Sequence, residues 1–279
     1  GARWRTDLPS INVGSRGNGG LGITVRTAGK DLHSGRYGGA VPNALHVMAK
    51  LVASLHDEHG AIAVRGFYDG IPAPDEKTRK ALADIPFDEN AWFDSLQSKA
   101  AGEAGWSTLE RLWYRPTLEI NGLWGGYQGS GAKTVIPHEA HAKITTRMVT
   151  GQDPLQVEAC LRKHFTDHCP EQATLEIEDQ HGWVGAYTVP EQHPVLLAAE
   201  RALKFTTGVD PVRVRIGATL PLTGVIKNVL DIDTVMFSFS TSDEDYHAPN
   251  EFLRLQSIDE GLAAWVRVLR EVAASPVQA

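Results

Sequence analysis

Two imidazoles stand in short stretches dense with reactive groups. His33 lies in Asp31-Leu32-His33-Ser34-Gly35, with Gly38-Gly39 close behind, and His247 lies in Ser242-Asp243-Glu244-Asp245-Tyr246-His247-Ala248-Pro249-Asn250-Glu251. A neutral imidazole is a good zinc ligand. A lone loop histidine is more often solvated, and His33 could equally serve to order the Gly38-Gly39 turn. The carboxylates Asp243, Glu244, Asp245 and Glu251 read as a solvated acidic surface, with Asn250 and Glu251 fixing the loop that aims His247. A hydrolase with two metal ions needs several carboxylates and a second imidazole. No plausible set of these is present, so the chain reads as part of an enzyme.

The elements that must position these residues follow from apolar periodicity. Leu21, Ile23 and Val25 alternate with Gly22, Thr24 and Arg26, the period of a half-buried strand. Leu45, Met48, Val52 and Leu55 recur at helical spacing, with Pro42-Asn43 as a start and Gly60 as a stop, which leaves His33 on the intervening loop. Residues 72–113 read as a helical insertion. Strands are expected at 117–120 and 141–149, the second with Ala142, Ile144, Thr146 and Met148 on one side and Arg147 on the other. A helix from Pro154 to Phe165 and a strand at 173–177 complete a second strand-helix-strand passage. Beyond Pro190 the pattern predicts a helix from Pro194 to Gly208, a strand through Val235, Phe237 and Phe239, and a last helix opened by a Ser257/Glu260 capping box. The Gly-rich stretches 17–22 and 125–126 lack the strand-to-helix context of a phosphate loop and read as turns or close backbone contacts.

Composition narrows the function classes. The 279 residues are 42% hydrophobic and 22% charged, ordinary globular material for one large or two moderate domains. A net charge of −7 without a Lys/Arg cluster argues against nucleic acid and acidic membranes as partners. No apolar run approaches the roughly 18–20 residues that span a bilayer, and no signal-peptide core opens the chain, so a cytoplasmic location is expected. Cys160 and Cys169 have no metal-knuckle spacing and read as packing residues.

Five stretches in order, DLHSGRYGGAVPNALHVMAKLVASLHDEHG, RGFYDGI, AKTVIPHEAHAKITTRMVTGQDP, RIGATLPLTG and SDEDYHAPNEF, resemble the co-catalytic zinc metallopeptidases that include carnosinase-type dipeptidases, aminoacylases and succinyl-diaminopimelate desuccinylase. The Gly66-Phe67-Tyr68-Asp69-Gly70 segment and the insertion after it resemble the dipeptidase branch. The resemblance implies two zinc ions per complete site, with manganese or cobalt as alternatives, and His247 as a ligand. It implies that His33 reaches the partner subunit's site and steadies the oxyanion, which makes the protein a homodimer. Arg147 is similar to the residue that grips the substrate carboxylate, for which a planar guanidinium fork is well shaped. Gly217, Ala218 and Thr219 match the small-residue loop that holds the same carboxylate, with Ala218 where a second Gly is usual, and Thr134 could line that pocket or simply form a turn. In the family the other ligands and the general base lie in an N-terminal half.

The expected fold class is α/β in two domains. Residues 15–187 form an α+β lid and dimerisation domain, a four-stranded antiparallel sheet with two helices on one face, inserted before the C-terminal portion of an α/β zinc-peptidase catalytic domain to which residues 1–14 and 188–279 belong. That portion is expected to expose an apolar patch. The implied function is hydrolysis of an amide bond in a small substrate with a free carboxylate, foremost a dipeptide, by the complete enzyme, this chain alone being inactive. The alternatives are an N-acyl amino acid deacylase and a stand-alone dimerisation or binding module.

Overall fold

The structure is a computed structural model and describes residues 3–246 and 248–274. Among them the strands are β1 (Ser10–Ser15), β2 (Asn18–Arg26), β3 (Leu32–His33), β4 (Thr117–Gly125), β5 (Val135–Ile136), β6 (Glu139–Arg147), β7 (Thr174–Val184), β8 (Tyr187–Thr188) and β9 (Val212–Ile216). The helices are α1 (Ser34–Tyr37), α2 (Ala44–Ala53), α3 (Glu76–Ala83), α4 (Glu89–Ser95), α5 (Thr108–Tyr114), α6 (Pro154–His168), α7 (Pro194–Thr207), α8 (Pro221–Leu230) and α9 (Leu255–Ala274). They fall into two compact units, residues 17–185 and residues 1–16 with 186–279.

In the unit of residues 17–185, β4, β6, β2 and β7 form, in that order, a fully antiparallel sheet. Register puts Leu21 opposite Ile144, Ile23 opposite Ala142 and Val25 opposite Ala140, so the apolar rows share one face. Helices α2 and α6 close that face, and Met48, Leu51, Leu161 and Phe165 join the strand residues in one core. Each fully buried side chain of this size contributes about 1.5–3 kcal/mol. Asn43 caps α2 by accepting from the Leu45 N–H, and Asp153 caps α6 ahead of Pro154. Helices α3, α4 and α5 make up the insertion. Its chain is anchored where the Arg115 guanidinium lies 4.6 Å from the Tyr68 ring and 4.4 Å from the Trp106 ring and forms an ion pair with Glu103.

In the other unit β1 runs between β9, parallel to it, and β8, antiparallel. Ile11 on β1 packs with Leu196, Ala199 and Leu203 of α7 and Val268 of α9. Among the described residues no helix is long and apolar enough to cross a membrane.

Several expectations change. The first predicted helix ends at Ala53; Gly60 instead takes φ +77° in a separate turn that Asp57 closes by accepting from the His59 and Ala61 N–H groups. The stretch from residue 17 to 22 is largely strand, and its glycines admit a covering ring: a Cβ on Gly19 would lie 2.1 Å from Trp183 Cε3. Val235, Phe237 and Phe239 pack against the core without forming a strand, because β8 occupies the edge of β1 at Gly14 and Ser15 and leaves only Asn12 to bridge Met236. Helix α9 begins at Leu255, so Ser257 lies inside it, while Glu260 is engaged by Arg3 at 2.5 Å and by Gln256. A capping box does occur, between Ser107 and Glu110 at the start of α5.

Candidate functional site

His33 closes β3 and is the residue from which α1 starts, and its exposed ring makes no capping hydrogen bond. Strand β3 pairs with β5, His33 opposite Val135, and the Ser34 N–H donates to the Thr134 carbonyl at 3.0 Å. His33 and Thr134 are thereby brought together at one end of a two-stranded ribbon. At its other end Asp31 Oδ1 lies 2.7 Å from His138 Nδ1 and accepts from the His138 N–H, while the Thr27 N–H donates to the His138 carbonyl at 2.8 Å. The His138 side chain, and after it the His138 N–H, hold the Asp31 carboxyl below its ordinary range. The Gly38-Gly39 turn is closed by the Gly38 N–H on the Ser34 carbonyl, a bond in which the His33 ring takes no part.

Arg147 is the last residue of β6, opposite Thr117 and on the sheet face away from the helices. That face is polar: the His141 ring stacks on Trp124 at 4.9 Å, and Arg26 bridges Glu139 and Glu176, each at 2.5 Å. Gly217, Ala218 and Thr219 belong to the other unit and follow β9. The loop is gripped by Arg16, whose Nε donates to the Gly217 carbonyl at 2.7 Å and whose N–H donates to the carbonyls of Ile216 and Ala218 at 3.3 and 3.2 Å. Ala218 is exposed. Arg215 donates from Nη1 to Thr188 Oγ1 at 2.9 Å.

His247 lies outside the described residues. Ahead of it lies a 3-10 turn, Ser242–Glu244; Asp243, Asp245 and Glu251 are exposed, as a solvated acidic surface requires, and Glu244 alone of the four carboxylates is buried. Glu244 is 1% exposed and accepts from Arg254 Nη1 at 3.1 Å, while Asp243 pairs with Arg254 Nη2 at 2.6 Å. The carboxyl of Asp243 is held low first by its bond from Thr241 and then by Arg254. The Arg254 guanidinium, held by two carboxylates, ties this turn together; the expectation that Asn250 and Glu251 aim His247 falls on a residue outside the described ones. Among the described residues no group of three or more His, Cys, Asp and Glu side chains could hold a metal ion.

Arg16, His138 and Arg254 were not singled out by the sequence. The available signal was their place within or beside the motifs: Arg16 ahead of β2, His138 directly after Val135-Ile136-Pro137, and Arg254 three residues past Glu251.

Comparison with known proteins supplies the context. The human Beta-Ala-His dipeptidase is 26% identical over 275 residues, covering 95% of this chain and 53% of that protein. The Cys-Gly metallodipeptidase DUG1 of Saccharomyces cerevisiae is 27% identical over 278 residues, covering 97% and 57%. Its solved structure superposes with a TM-score of 0.83 at 25% identity, over 99% of this chain and 58% of the other. The M20 family metallo-carboxypeptidase Sso-CP2 of Sulfolobus solfataricus gives 0.86 at 25% identity, over 99% and 62%. The chain spans about half the length of the curated relatives it matches. Residues 13–173 match the peptidase dimerisation domain, and the chain belongs to that family, of the M20 metallopeptidases.

Proposed function

We propose that the chain supplies the substrate-holding part of a metal-dependent dipeptidase. One observation carries this reading: 95–97% of the chain aligns with two proteins named as dipeptidases. The chemistry of the residues in these motifs agrees with it. Arg147 ends a strand with a planar donor fork, and the Gly217-Ala218-Thr219 loop presents backbone N–H groups; each is proposed to bind the substrate's free carboxylate, with Thr134 lining the pocket. His33 is proposed to donate to the oxyanion of the tetrahedral intermediate in the partner subunit's site, where the contact strengthens as charge develops. Residues 15–187 are the proposed lid and dimerisation domain; residues 1–14 and 188–279 are the proposed part of the catalytic domain.

Zinc is the proposed ion, ahead of manganese and cobalt, with His247 as its ligand. The described residues do not by themselves fit a metal centre, since they assemble no cluster of ligating side chains. The chain on its own is proposed to neither retain stoichiometric zinc nor turn over peptides.

The test pairs elemental mass spectrometry with turnover of β-alanyl-histidine and cysteinyl-glycine. The expected result is well under one zinc and no turnover for the dialysed chain, and chelator-sensitive hydrolysis by the complete natural polypeptide that contains these residues. About two zinc ions per chain, as a two-metal hydrolase holds, with turnover abolished by chelator and by His247→Ala, would overturn the partial-site reading. Failure of the complete polypeptide to cleave any dipeptide would overturn the dipeptidase reading.

A further inference from the structure

We propose that a cavity bounded by α7, α9 and the start of β1 is a binding site for a free α-amino acid with an apolar side chain, its carboxylate on Arg3 and its ammonium on Asp259. The site shares no residue with the proposed carboxylate grip and does not depend on the dipeptidase reading.

The cavity measures about 460 Å³, and all its walls belong to the unit of residues 1–16 with 186–279. That volume lies within the roughly 300–1,000 Å³ usual for small-molecule sites. Arg3 lines it with a side chain only 10% exposed, on a backbone fixed by the Arg3 N–H, which donates to the Ser240 carbonyl at 2.7 Å. A guanidinium carries five donors. Here Nη1 donates to Glu260 Oε2 at 2.5 Å, while Nε has no acceptor among the described residues. Elsewhere in the chain the edge formed by Nε and Nη2 is the one that takes a carboxylate: Arg5 holds Asp7 in this way, Arg115 holds Glu103 and Arg213 holds Glu200. At Arg3 no carboxylate of the described residues takes that edge, and unmet donors on a buried cation are costly. The edge therefore points to an acceptor from outside the chain.

The other walls select the ligand. Glu260 neutralises Arg3, whereas Asp259, immediately before it on α9 and also lining the cavity, has no ion pair or hydrogen bond among the described residues. The surplus negative charge repels a simple anion, and a zwitterion satisfies both signs. Because Asp259 is the neighbour of the residue that holds Arg3, the two charges suit the short separation of ammonium and carboxylate in an α-amino acid. Buried Ser10 accepts from the Trp4 N–H at 2.8 Å, which leaves its hydroxyl proton to donate to the carboxylate. Leu203 and Phe239 offer hydrocarbon to an apolar side chain. Thr206 and Thr207 direct their hydroxyls to carbonyls of their own helix, Ala202 at 3.0 Å and Leu203 at 2.7 Å, and leave their methyl groups for the cavity.

The probe is L-leucine, with leucinamide as its counterpart lacking the carboxylate and isocaproate as its counterpart lacking the amine. Each is titrated into the isotope-labelled chain while the Leu203 methyl and Arg3 Nε–H resonances are followed. Leucine is expected to shift both saturably, and each counterpart to bind about tenfold more weakly or worse, the loss of one charge-assisted contact. Asp259→Asn, a change at an exposed side chain, is expected to weaken leucine about tenfold without weakening isocaproate, and Arg3→Gln to abolish the leucine shifts.

Absence of saturable shifts with leucine overturns the proposal. Leucinamide or isocaproate binding as tightly as leucine overturns it as well, because one of the two charged contacts is then not made. Should Arg3→Gln not fold, Asp259→Asn decides: leucine affinity equal to that of the wild type overturns the site. Turnover enters none of these readings, so failure of the dipeptidase assignment would be seen separately.

Discussion

His164 shows how one buried imidazole ties stability to pH. It sits on α6, 7% exposed, with its ring 4.0 Å from that of His168 and Nε2 2.9 Å from Ser54 Oγ at the end of α2. The Ser54 hydroxyl already donates to the Leu51 carbonyl, so the His164 ring must be the donor to Ser54. Burial first, and the neighbouring His168 second, push the His164 pKa down, and Asp167 opposes them only in part. Between the ordinary histidine value and this lower one the unfolded chain binds the extra proton, so stability is lost as pH falls through that window. Urea unfolding at pH 7.5 and 5.5 is expected to show a drop in stability that shrinks in His164→Gln; an unchanged drop would place its source elsewhere. Arg254 gives a second residue-scale expectation. Arg254→Met leaves the buried Glu244 without its cation and is expected to lower the urea midpoint. Arg254→Met together with Glu244→Leu is expected to recover most of that loss in denaturant titrations. The same residues mark what a sequence can and cannot disclose. His33, Arg147 and Thr134 stood out because the stretches around them resemble the motifs of a known family. Arg16 meets Gly217 across 201 residues and His138 meets Asp31 across 107, and no local spacing encodes such a partner.

At the scale of elements, the ribbon of β3 and β5 decides where His33 points. Each strand is two residues long, too short to hold register through its own ladder, so the contacts beyond its ends must supply the rest. Asp31 is one such contact, receiving the His138 N–H and lying against its ring. Asp31→Ala is expected to speed hydrogen exchange at the Ser34 N–H, whose bond to the Thr134 carbonyl closes the far end, with the exchange of β2 and β6 amides unchanged. Slowing confined to the wild type across all strands equally would mean that Asp31 acts on the whole unit rather than on the ribbon. The larger elements were legible for the opposite reason. Helices α2 and α6 and strands β2 and β6 each bury one face, and their apolar periods follow directly from that. Strand β1 is buried along nearly its whole length and includes Ser10, Asn12 and Ser15 among its buried residues, so it has no polar face and no alternation to read. Helix α8 carried a readable signal, since Leu222, Val225 and Val229 recur at helical spacing after Pro221, and these apolar residues remain exposed.

At the scale of the whole molecule, the question is whether His33 serves the copy that carries it or the other one. In the proposed homodimer it serves the other, and the sheet of β4, β6, β2 and β7 has two long edges, nine residues in β4 and eleven in β7, whose unpaired backbone groups favour association. Light scattering is expected to give about twice the 30.4 kDa chain mass, the two-fold dimer being the commonest closed assembly. Mass alone does not assign His33, but complementation does. In the complete polypeptide, His33→Ala and Arg147→Ala are each expected to lose most turnover. When the two are unfolded and refolded together, half of the dimers are mixed, and in each of these one site combines an intact Arg147 with an intact His33 from the other copy. Recovery to about a quarter of the wild-type rate is then expected from statistical pairing in a two-fold dimer. If His33 instead acts within its own protomer, no mixed dimer contains a complete site and the mixture stays as inactive as its parents, an outcome that would remove the dimer from the mechanism while leaving the carboxylate grip intact.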